Sequence, residues 1–169
     1  MRHTYGICHG GIALRPMDAD ASEKYRLLRN QKEIGKWFAT KGPISREQQQ
    51  EWFQRYLTND RDVMFAVFDG QGRFIGANSI YDIDGVSAAY GQLIIDPAFG
   101  GRGYGVLATR AAALIARNQM KLERLRLEVY AENLAAVKTY QKVGFTEKGT
   151  AAAPDGAAML RMELELAHI

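Results

Sequence analysis

The chain has 169 residues, of which 47% are hydrophobic and 24% charged, a composition typical of one globular domain. Lys and Arg exceed Asp and Glu only by 22 to 19 and are scattered, which argues against nucleic-acid binding because that function needs clustered basic residues. A single cysteine, Cys8, excludes an intrachain disulfide framework. The sequence shows neither a signal-peptide pattern nor an apolar stretch of membrane-spanning length, so we expect a cytoplasmic protein with no membrane partner.

The first part of the chain predicts one strand and two helices. A strand is expected at residues 12–14, ahead of Pro16, and a helix over residues 19–30. Ser45 and Gln48 have the spacing of a capping box, which marks the start of the second helix. The apolar stripe of that helix comprises Trp52, Phe53, Tyr56 and Leu57.

The middle of the chain predicts three strands. Apolar residues alternate over residues 63–67 and strand-forming residues resume over 74–80, and the turn Asp69-Gly70-Gln71-Gly72 between them indicates a β-hairpin. A third strand is expected over residues 86–95. It ends at Asp96-Pro97, since proline cannot extend a ladder of strand hydrogen bonds.

The last part of the chain alternates between helices and strands. Helices are expected after residue 105 and over residues 133–143, the second of them ended by Gly144. Strands are expected at residues 125–129 and 159–166. This order of elements predicts an α/β fold, a mixed central β-sheet flanked by helices, in a single domain over residues 1–169.

A glycine-rich segment joins the third strand to the helix that follows. We call it the glycine loop, and it consists of Gly100, Gly101, Arg102, Gly103, Tyr104 and Gly105. Glycine lets backbone N–H groups approach an anion closely, and a helix N-terminus adds unpaired donors and partial positive charge. Val106 stands where a P-loop needs Lys, and the G-x-G-x-G spacing after three strands does not fit a dinucleotide fingerprint. The loop is interpreted as a pyrophosphate cradle of another type, with a flexible connection as the alternative.

A second motif spans residues 133–145. Asn133 and Tyr140 lie seven residues apart, almost two helical turns, so they project from nearly one face of the predicted helix. Taken alone, Asn133 is explained as a helix cap and Tyr140 as a core aromatic. Both motifs in this order, with a strand between them, are a far more specific signal of a protein family than either motif alone.

Together the motifs resemble those of the GNAT superfamily of N-acetyltransferases, and the resemblance covers roughly residues 12–166. The glycine loop matches R/Q-x-x-G-x-G/A except at Gly100, so backbone amides and Arg102 are expected to hold the pyrophosphate of acetyl-CoA. The second motif matches N-x-x-A-x-x-x-Y-x-x-x-G-F at every fixed position. The resemblance implies an acetyl-CoA-dependent N-acetyltransferase without a metal. Its implied acetyl-CoA contacts are Leu93, Ile94, Ile95, the six residues of the glycine loop, Asn133, Ala136, Tyr140 and Lys142.

The resemblance also implies that an acceptor amine attacks the acetyl thioester directly. Tyr140 is expected to protonate the leaving thiolate. A backbone N–H around Ile94 or Ile95 is expected to stabilise the oxyanion.

The general base is the part of the mechanism that the family pattern does not supply. Many relatives place a Glu where this chain has Tyr90. We expect Glu128 to act instead, through a water molecule. The alternative is that Glu128 is a partly exposed strand residue paired with a basic neighbour, and Ser79 and Tyr81 are weaker candidates for the base.

The acceptor is expected to bind near the two N-terminal helices and the segment between them. This stretch looks like the amino-sugar branch of the superfamily, from pseudaminic acid biosynthesis, and its Arg, Trp and Phe residues suit a nucleotide through phosphate pairing and base stacking. The expected acceptor contacts are Arg29, Asn30, Trp37, Phe38, Ser79 and Tyr90.

Other activities share this layout. Ribosomal-protein N-terminal acetyltransferases and polyamine or antibiotic acetyltransferases are alternatives, and an acyl-CoA-binding regulatory module without turnover is the non-enzyme alternative. The expected partner is a small-molecule amine, with a nucleotide sugar as one candidate, and the chain is expected to be a monomer or a homodimer.

Overall fold

Eight strands form one mixed sheet in the computed structural model, which describes residues 3–169. Their order across the sheet is β1-β2-β3-β4-β5-β6-β8-β7, and only β5 and β6 are parallel neighbours. The strands are β1 (Ile7–His9), β2 (Ile12–Pro16), β3 (Val63–Phe68), β4 (Phe74–Tyr81), β5 (Ser87–Ile95), β6 (Arg124–Tyr130), β7 (Thr146–Ala152) and β8 (Ala158–Glu165).

Among residues 3–169, five α-helices cover the sheet from both sides. They are α1 (Ala19–Arg29), α2 (Lys32–Gly35), α3 (Arg46–Leu57), α4 (Tyr104–Asn118) and α5 (Leu134–Val143). Helices α1 and α3 pack in one apolar cluster with Met64, Ala77 and Ile94, whereas α4 and α5 pack in a second cluster with Phe65 and Leu125. Adjacent residues of β3 belong to different clusters, so this central strand is buried on both faces. The two sides are called the α1/α3 face and the α4/α5 face.

Local signals in the sequence explain where two of these helices begin and end. The Gln48 N–H donates to Ser45 Oγ at 3.1 Å, and the Ser45 N–H donates to Gln48 Oε1 at 2.8 Å, so the predicted capping box starts α3. Gly144 ends α5 with a φ of 122°, a backbone conformation that side-chain-bearing residues rarely adopt. Both predictions are confirmed.

The predicted fold class is confirmed, but three elements were not predicted. Strand β1 has only three residues, and α2 is a single turn of four, so neither is long enough to show a period. Strand β7 reads Thr-Glu-Lys-Gly-Thr-Ala-Ala, and it is an exposed edge strand without alternating apolar residues. Its pairing with β8 makes it a strand.

Strands β5 and β6 separate in the middle of the sheet. Their parallel pairing covers only residues 87–89 of β5 and 124–126 of β6. Beyond that point β5 stays with β4 while β6 stays with β8. A gap therefore opens between residues 90–95 and 127–130.

The α1/α3 face of β6 and β8 carries a ladder of opposite charges. Leu125, Leu127 and Val129 point into the α4/α5 cluster, so the residues between them point to the other face. Each charged residue of β6 there has an oppositely charged partner directly across on β8. The three rungs are Arg124 with Glu165, Arg126 with Glu163, and Glu128 with Arg161.

Candidate active site

The glycine loop leaves the N-terminus of α4 without a side-chain cap. Gly103 occupies the N-cap position with a φ of 78°, and Gly101 has a φ of 75°. A Cβ at either residue would meet nothing within 4 Å, so backbone conformation rather than space requires these glycines. The Leu107 N–H donates to the Gly103 carbonyl at 3.2 Å, and the N–H groups that precede it have no partner within the helix. This end of α4 is suited to an anion.

A groove of about 410 Å³ runs from the glycine loop to the start of α5 and is called the glycine-loop groove. Gly105 faces Thr139 of α5 and Leu93 of β5, with 3.6–3.9 Å from its Cβ position to their nearest atoms. All the residues predicted to contact acetyl-CoA line this groove except Arg102 and Tyr140. Arg102 is exposed beside it, with its guanidinium carbon 5.8 Å from the ring centre of Phe99.

Strand β5 offers backbone donors to the gap. The Asp96 N–H donates to the Ile75 carbonyl of the β4 side at 2.8 Å, and the Ile94 carbonyl also points to β4, since a Cβ on Gly76 would lie 2.1 Å from it. Successive residues of a strand direct their N–H groups to opposite edges. The N–H of Ile95 therefore faces the gap and that of Ile94 faces β4, so of the two predicted oxyanion donors only Ile95 is available.

A β-bulge lies at the same place in β5. Ala77 pairs with Ile94 and Ser79 pairs with Gly91, so one residue of β4 opposes two of β5. Gln92 takes a left-handed φ of 54° there. The bulge occurs where β5 leaves β6 and bends the strand edge that borders the gap.

Tyr140 of α5 lies beneath the gap. Its side chain is buried, with ring centres of Tyr90 and Phe145 at 6.1 and 5.8 Å. Burial, together with the nearby phenols of Tyr90 and Tyr81, raises the Tyr140 pKa far above its ordinary value of 10. Within residues 3–169 its hydroxyl has no hydrogen-bond partner, so it is a protonated donor that remains free at neutral pH.

Tyr90 does not lie where an acceptor could reach it. It is 1% exposed on the α4/α5 face, and its hydroxyl contacts Asn78 Nδ2 at 3.1 Å and Thr109 Oγ1 at 3.0 Å. Asn78 Nδ2 also donates to the Ala108 carbonyl at 3.0 Å, so this buried network ties β4 and β5 to α4. The predicted acceptor contact at Tyr90 is corrected to a core position, because strand alternation turns the side chain away from the α1/α3 face.

The four residues predicted on the N-terminal helices fall into two groups. Asn30 exchanges two hydrogen bonds of 2.8 Å with the Ile44 backbone, and Arg29 lies 4.5 Å over the Phe38 ring and donates to the Thr40 carbonyl at 3.2 Å. These contacts anchor the segment between α1 and α3. Trp37 and Phe38 line the glycine-loop groove instead. Asn30 thus has a structural role that the sequence pattern did not reveal.

Glu128 lies on the exposed charge ladder. Its side chain is 51% exposed, and the Arg161 Nε donates to its Oε1 at 3.3 Å. It lines a cleft of about 500 Å³ with Tyr81, Ala89 and Leu127 at the point where β5 and β6 separate. We call this the charged cleft.

Ser79 lies in a different cleft, of about 400 Å³, with Trp52 and Gln92. Its Oγ is buried and directed at the Gly91 carbonyl, 3.5 Å away. Tyr81 lines both this cleft and the charged cleft, so its side chain stands between them. Burial and the charge of Glu128, which lines the charged cleft with it, raise the Tyr81 pKa.

The comparison with known families identifies the family of the chain. A model of the acetyltransferase (GNAT) domain matches residues 12–146. The chain belongs to the GNAT acetyltransferase family. The predicted family and enzyme class are confirmed. Within residues 3–169, no group of His, Cys, Asp or Glu could hold a metal ion, and no helix could cross a membrane.

Individual GNAT relatives are distant in sequence but close in fold. The chain is 24% identical to the spermidine N(1)-acetyltransferase of Vibrio cholerae over 139 residues, 82% of this chain and 80% of that protein. It is 29% identical to an aminoglycoside N(6′)-acetyltransferase of Klebsiella pneumoniae over 72 residues, 43% of this chain and 36% of that one. The Vibrio cholerae spermidine N-acetyltransferase in complex with CoA and spermine superimposes with a TM-score of 0.86 at 22% identity, covering 93% and 96% of the two chains.

Proposed function

We propose that this GNAT domain transfers the acetyl group of acetyl-CoA directly to the primary amine of a small molecule. The observation that carries the proposal is one continuous groove, which joins the uncapped start of α4 to the edge of β5 in the gap. That arrangement suits a long ligand with a pyrophosphate at one end and a reactive thioester at the other.

Acetyl-CoA fits the donor chemistry of the glycine-loop groove. Unpaired N–H groups at the start of α4 would bind the pyrophosphate, with Arg102 adding a charge beside them. The N–H groups of β5 that face the gap would pair with the amide groups of the pantetheine arm. Asn133 caps α5 by accepting from the Ala136 N–H at 3.3 Å, so it holds this wall of the groove in place.

The chemistry needs two proton transfers and one charge to be stabilised. The amine nitrogen bonds to the carbonyl carbon, the carbon–sulfur bond breaks, the amine loses a proton and the thiolate gains one. The Ile95 N–H stabilises the oxyanion, and Tyr140 donates its hydroxyl proton toward the sulfur. Because burial raises the Tyr140 pKa so far, it stabilises the thiolate first as a hydrogen-bond donor.

We assign the amine's proton to Glu128, acting through a water molecule. The carboxylate lines the charged cleft together with Tyr81 and Ala89, which pair with each other where β5 and β6 begin to separate. Glu128 therefore lies beside the gap between β5 and β6.

Two acceptor classes remain as candidates. A nucleotide-linked amino sugar is the acceptor suggested by the stretch that contains Trp37 and Phe38, both of which line the glycine-loop groove. A polyamine is favoured by the relative from Vibrio cholerae, which acts on spermidine. We also propose a cytoplasmic location, in keeping with the exposed and unpaired Cys8, and a monomer or a homodimer in solution.

Release of CoA from acetyl-CoA tests the proposal. We expect release that depends on both an added primary amine and the protein, and an acetylated amine detectable by mass spectrometry. A protein that binds acetyl-CoA but releases no CoA with amino sugars, polyamines, aminoglycosides or peptides would be the acyl-CoA-binding regulatory module instead.

A further inference from the structure

The charged cleft lies next to the reaction centre of the proposed acetyl transfer. Ala89 and Arg126 form the last pair of β5 and β6 before the strands separate, and both line this cleft. Tyr81 pairs with Ala89 across β4 and β5 and lines the cleft at the same place. An amine in the charged cleft would therefore approach the thioester from the α1/α3 face.

Each carboxylate of this cleft lies within 4 Å of an arginine. Asp82 lies 2.7 Å from Arg61 and 3.4 Å from Arg126, and Glu128 lies 3.3 Å from Arg161. Glu163 has a longer contact, 3.9 Å from Arg124. A polycation gains most from carboxylates that have no partner, so the cleft offers a polyamine little net attraction.

Lys148 is the cation of the cleft that has no ion pair. Within residues 3–169 no carboxylate lies within 4 Å of its ammonium group, whereas Arg126 and Arg161 are both paired. Lys148 is also the extra residue of a β-bulge, since Glu147 pairs with Met162 and Gly149 pairs with Arg161. A bulge turns a side chain out of the regular alternation of the strand. Here it places Lys148 on the rim of the cleft.

We propose that the acceptor is a primary amine that also carries an anionic group, a carboxylate or a phosphate, and that Lys148 binds this anion in the charged cleft. The inference rests on the proposed acetyl transfer and narrows its acceptor. The amine end lies toward Tyr81 and Glu128, and the anion lies toward the edge of the sheet formed by β7. Lys148 thus determines specificity and has no part in the chemistry.

Matched pairs of amines test this assignment and separate the two kinds of anion. Glucosamine 6-phosphate is compared with glucosamine, and glycine with glycinamide, so each pair differs in the anion and keeps the primary amine. Spermidine is the polycationic probe. We expect kcat/KM to be about tenfold higher for at least one anionic member than for its partner, the effect of one charge-assisted contact.

The variant Lys148→Gln should abolish that tenfold preference while leaving the KM for acetyl-CoA and the rate with the partner amine unchanged. Lys24→Gln, which alters an exposed lysine on α1, is the matched control and should keep the preference. Thermal midpoints check that both variants are folded. The reversed charge in Lys148→Glu should raise the rate with spermidine relative to the wild type.

Two results would overturn the inference and leave the proposed function intact. One is a higher kcat/KM for spermidine than for every anionic amine, and the other is an anion preference that survives in Lys148→Gln. If no amine releases CoA at all, the proposed function itself fails and the acceptor assignment falls with it.

Discussion

The glycine-loop groove and the charged cleft lie on either side of one gap in the sheet, but they present different chemical groups to a ligand. The groove offers backbone N–H groups, shaped by glycines and helix starts. The cleft offers charged side chains from β6, β7 and β8 and from Asp82 just after β4, and most of them are already paired with one another. The first site therefore depends on backbone conformation and the second on which side chains the sheet brings together.

This difference separates the binding of acetyl-CoA from the binding of the acceptor in the proposed reaction. A backbone site recognises groups that every acetyl-CoA carries, and it needs few specific side chains. A side-chain site can be changed one residue at a time without altering the groove. Substitutions on the two sides should accordingly affect different kinetic constants.

The largest effect is expected where the two sites meet. Tyr140→Phe removes the hydroxyl that faces the thiolate and should lower kcat by about a hundredfold while the KM for acetyl-CoA hardly changes. Steady-state kinetics of CoA release measure both constants. Tyr25→Phe, which changes a buried tyrosine of the α1/α3 cluster, is the control and should keep kcat. Unchanged turnover in Tyr140→Phe would remove Tyr140 from the catalytic role.

A glycine substitution should affect the groove alone. Gly103→Ala forces a side chain into a φ of 78° at the start of α4 and should raise the KM for acetyl-CoA by about tenfold, because the N–H groups lose their alignment. Gly72→Ala introduces the same strain at a φ of 77° in the turn between β3 and β4. Both should lose about 1–2 kcal/mol of stability. Equal KM values in the two variants would show that the glycine loop does not hold the donor.

A smaller effect is expected on the cleft side. Glu128→Gln should lower kcat/KM for the acceptor by about fivefold and flatten the acidic limb of its pH–rate profile, since the proposed base is lost. Glu163→Gln removes a carboxylate from the same cleft and should leave the profile unchanged. A wild-type profile in Glu128→Gln would mean that this carboxylate serves only its pair with Arg161.

The last effect concerns stability at high pH and is absent at neutral pH. Burial raises the pKa of Tyr25 to about 12 and those of Tyr90 and Tyr140 further. Their unfolded pKa is about 10, so their contribution to stability is complete below pH 10 and is lost as the pH rises toward the folded values. Urea unfolding should show a free energy that falls above pH 10 by about 1.4 kcal/mol per pH unit for each buried phenol.

Tyr90→Phe is the variant that checks this dependence. It should unfold about 1–3 kcal/mol more easily at pH 7, because Asn78 and Thr109 lose a buried partner. Above pH 10 its free energy of unfolding should fall less steeply than that of the wild type. An identical slope in the two proteins would contradict a raised pKa at Tyr90.

The same contrast explains what the sequence could predict. The glycine loop and the motif of α5 are local, so their spacing alone indicated the groove and the family. The charged cleft depends on register, because Glu128 and Arg161 are 33 positions apart and meet only through the pairing of β6 with β8. The bulge that turns out Lys148 exists only in the paired sheet. No pattern in the sequence predicts the pairing of Glu128 with Arg161 or the bulge at Lys148.

The error at Tyr90 has a related physical cause. The family pattern assigns the position of Tyr90 to the acceptor site, but the sequence does not show on which face of β5 the side chain lies. An aromatic ring can be buried against α4 and α5, whereas a carboxylate there would need a charged partner. The buried network with Asn78 and Thr109 is the alternative that this chain adopted.

The side chain of Tyr81 separates two clefts, because it lines both of them. Its ring packs closely against Gly91 of β5, where a Cβ would be 3.3 Å from the ring. The clefts on its two sides measure about 400 and 500 Å³. Truncating this one side chain would open them into a single chamber, which makes residue 81 the natural starting point for evolving the enzyme toward longer or branched amines.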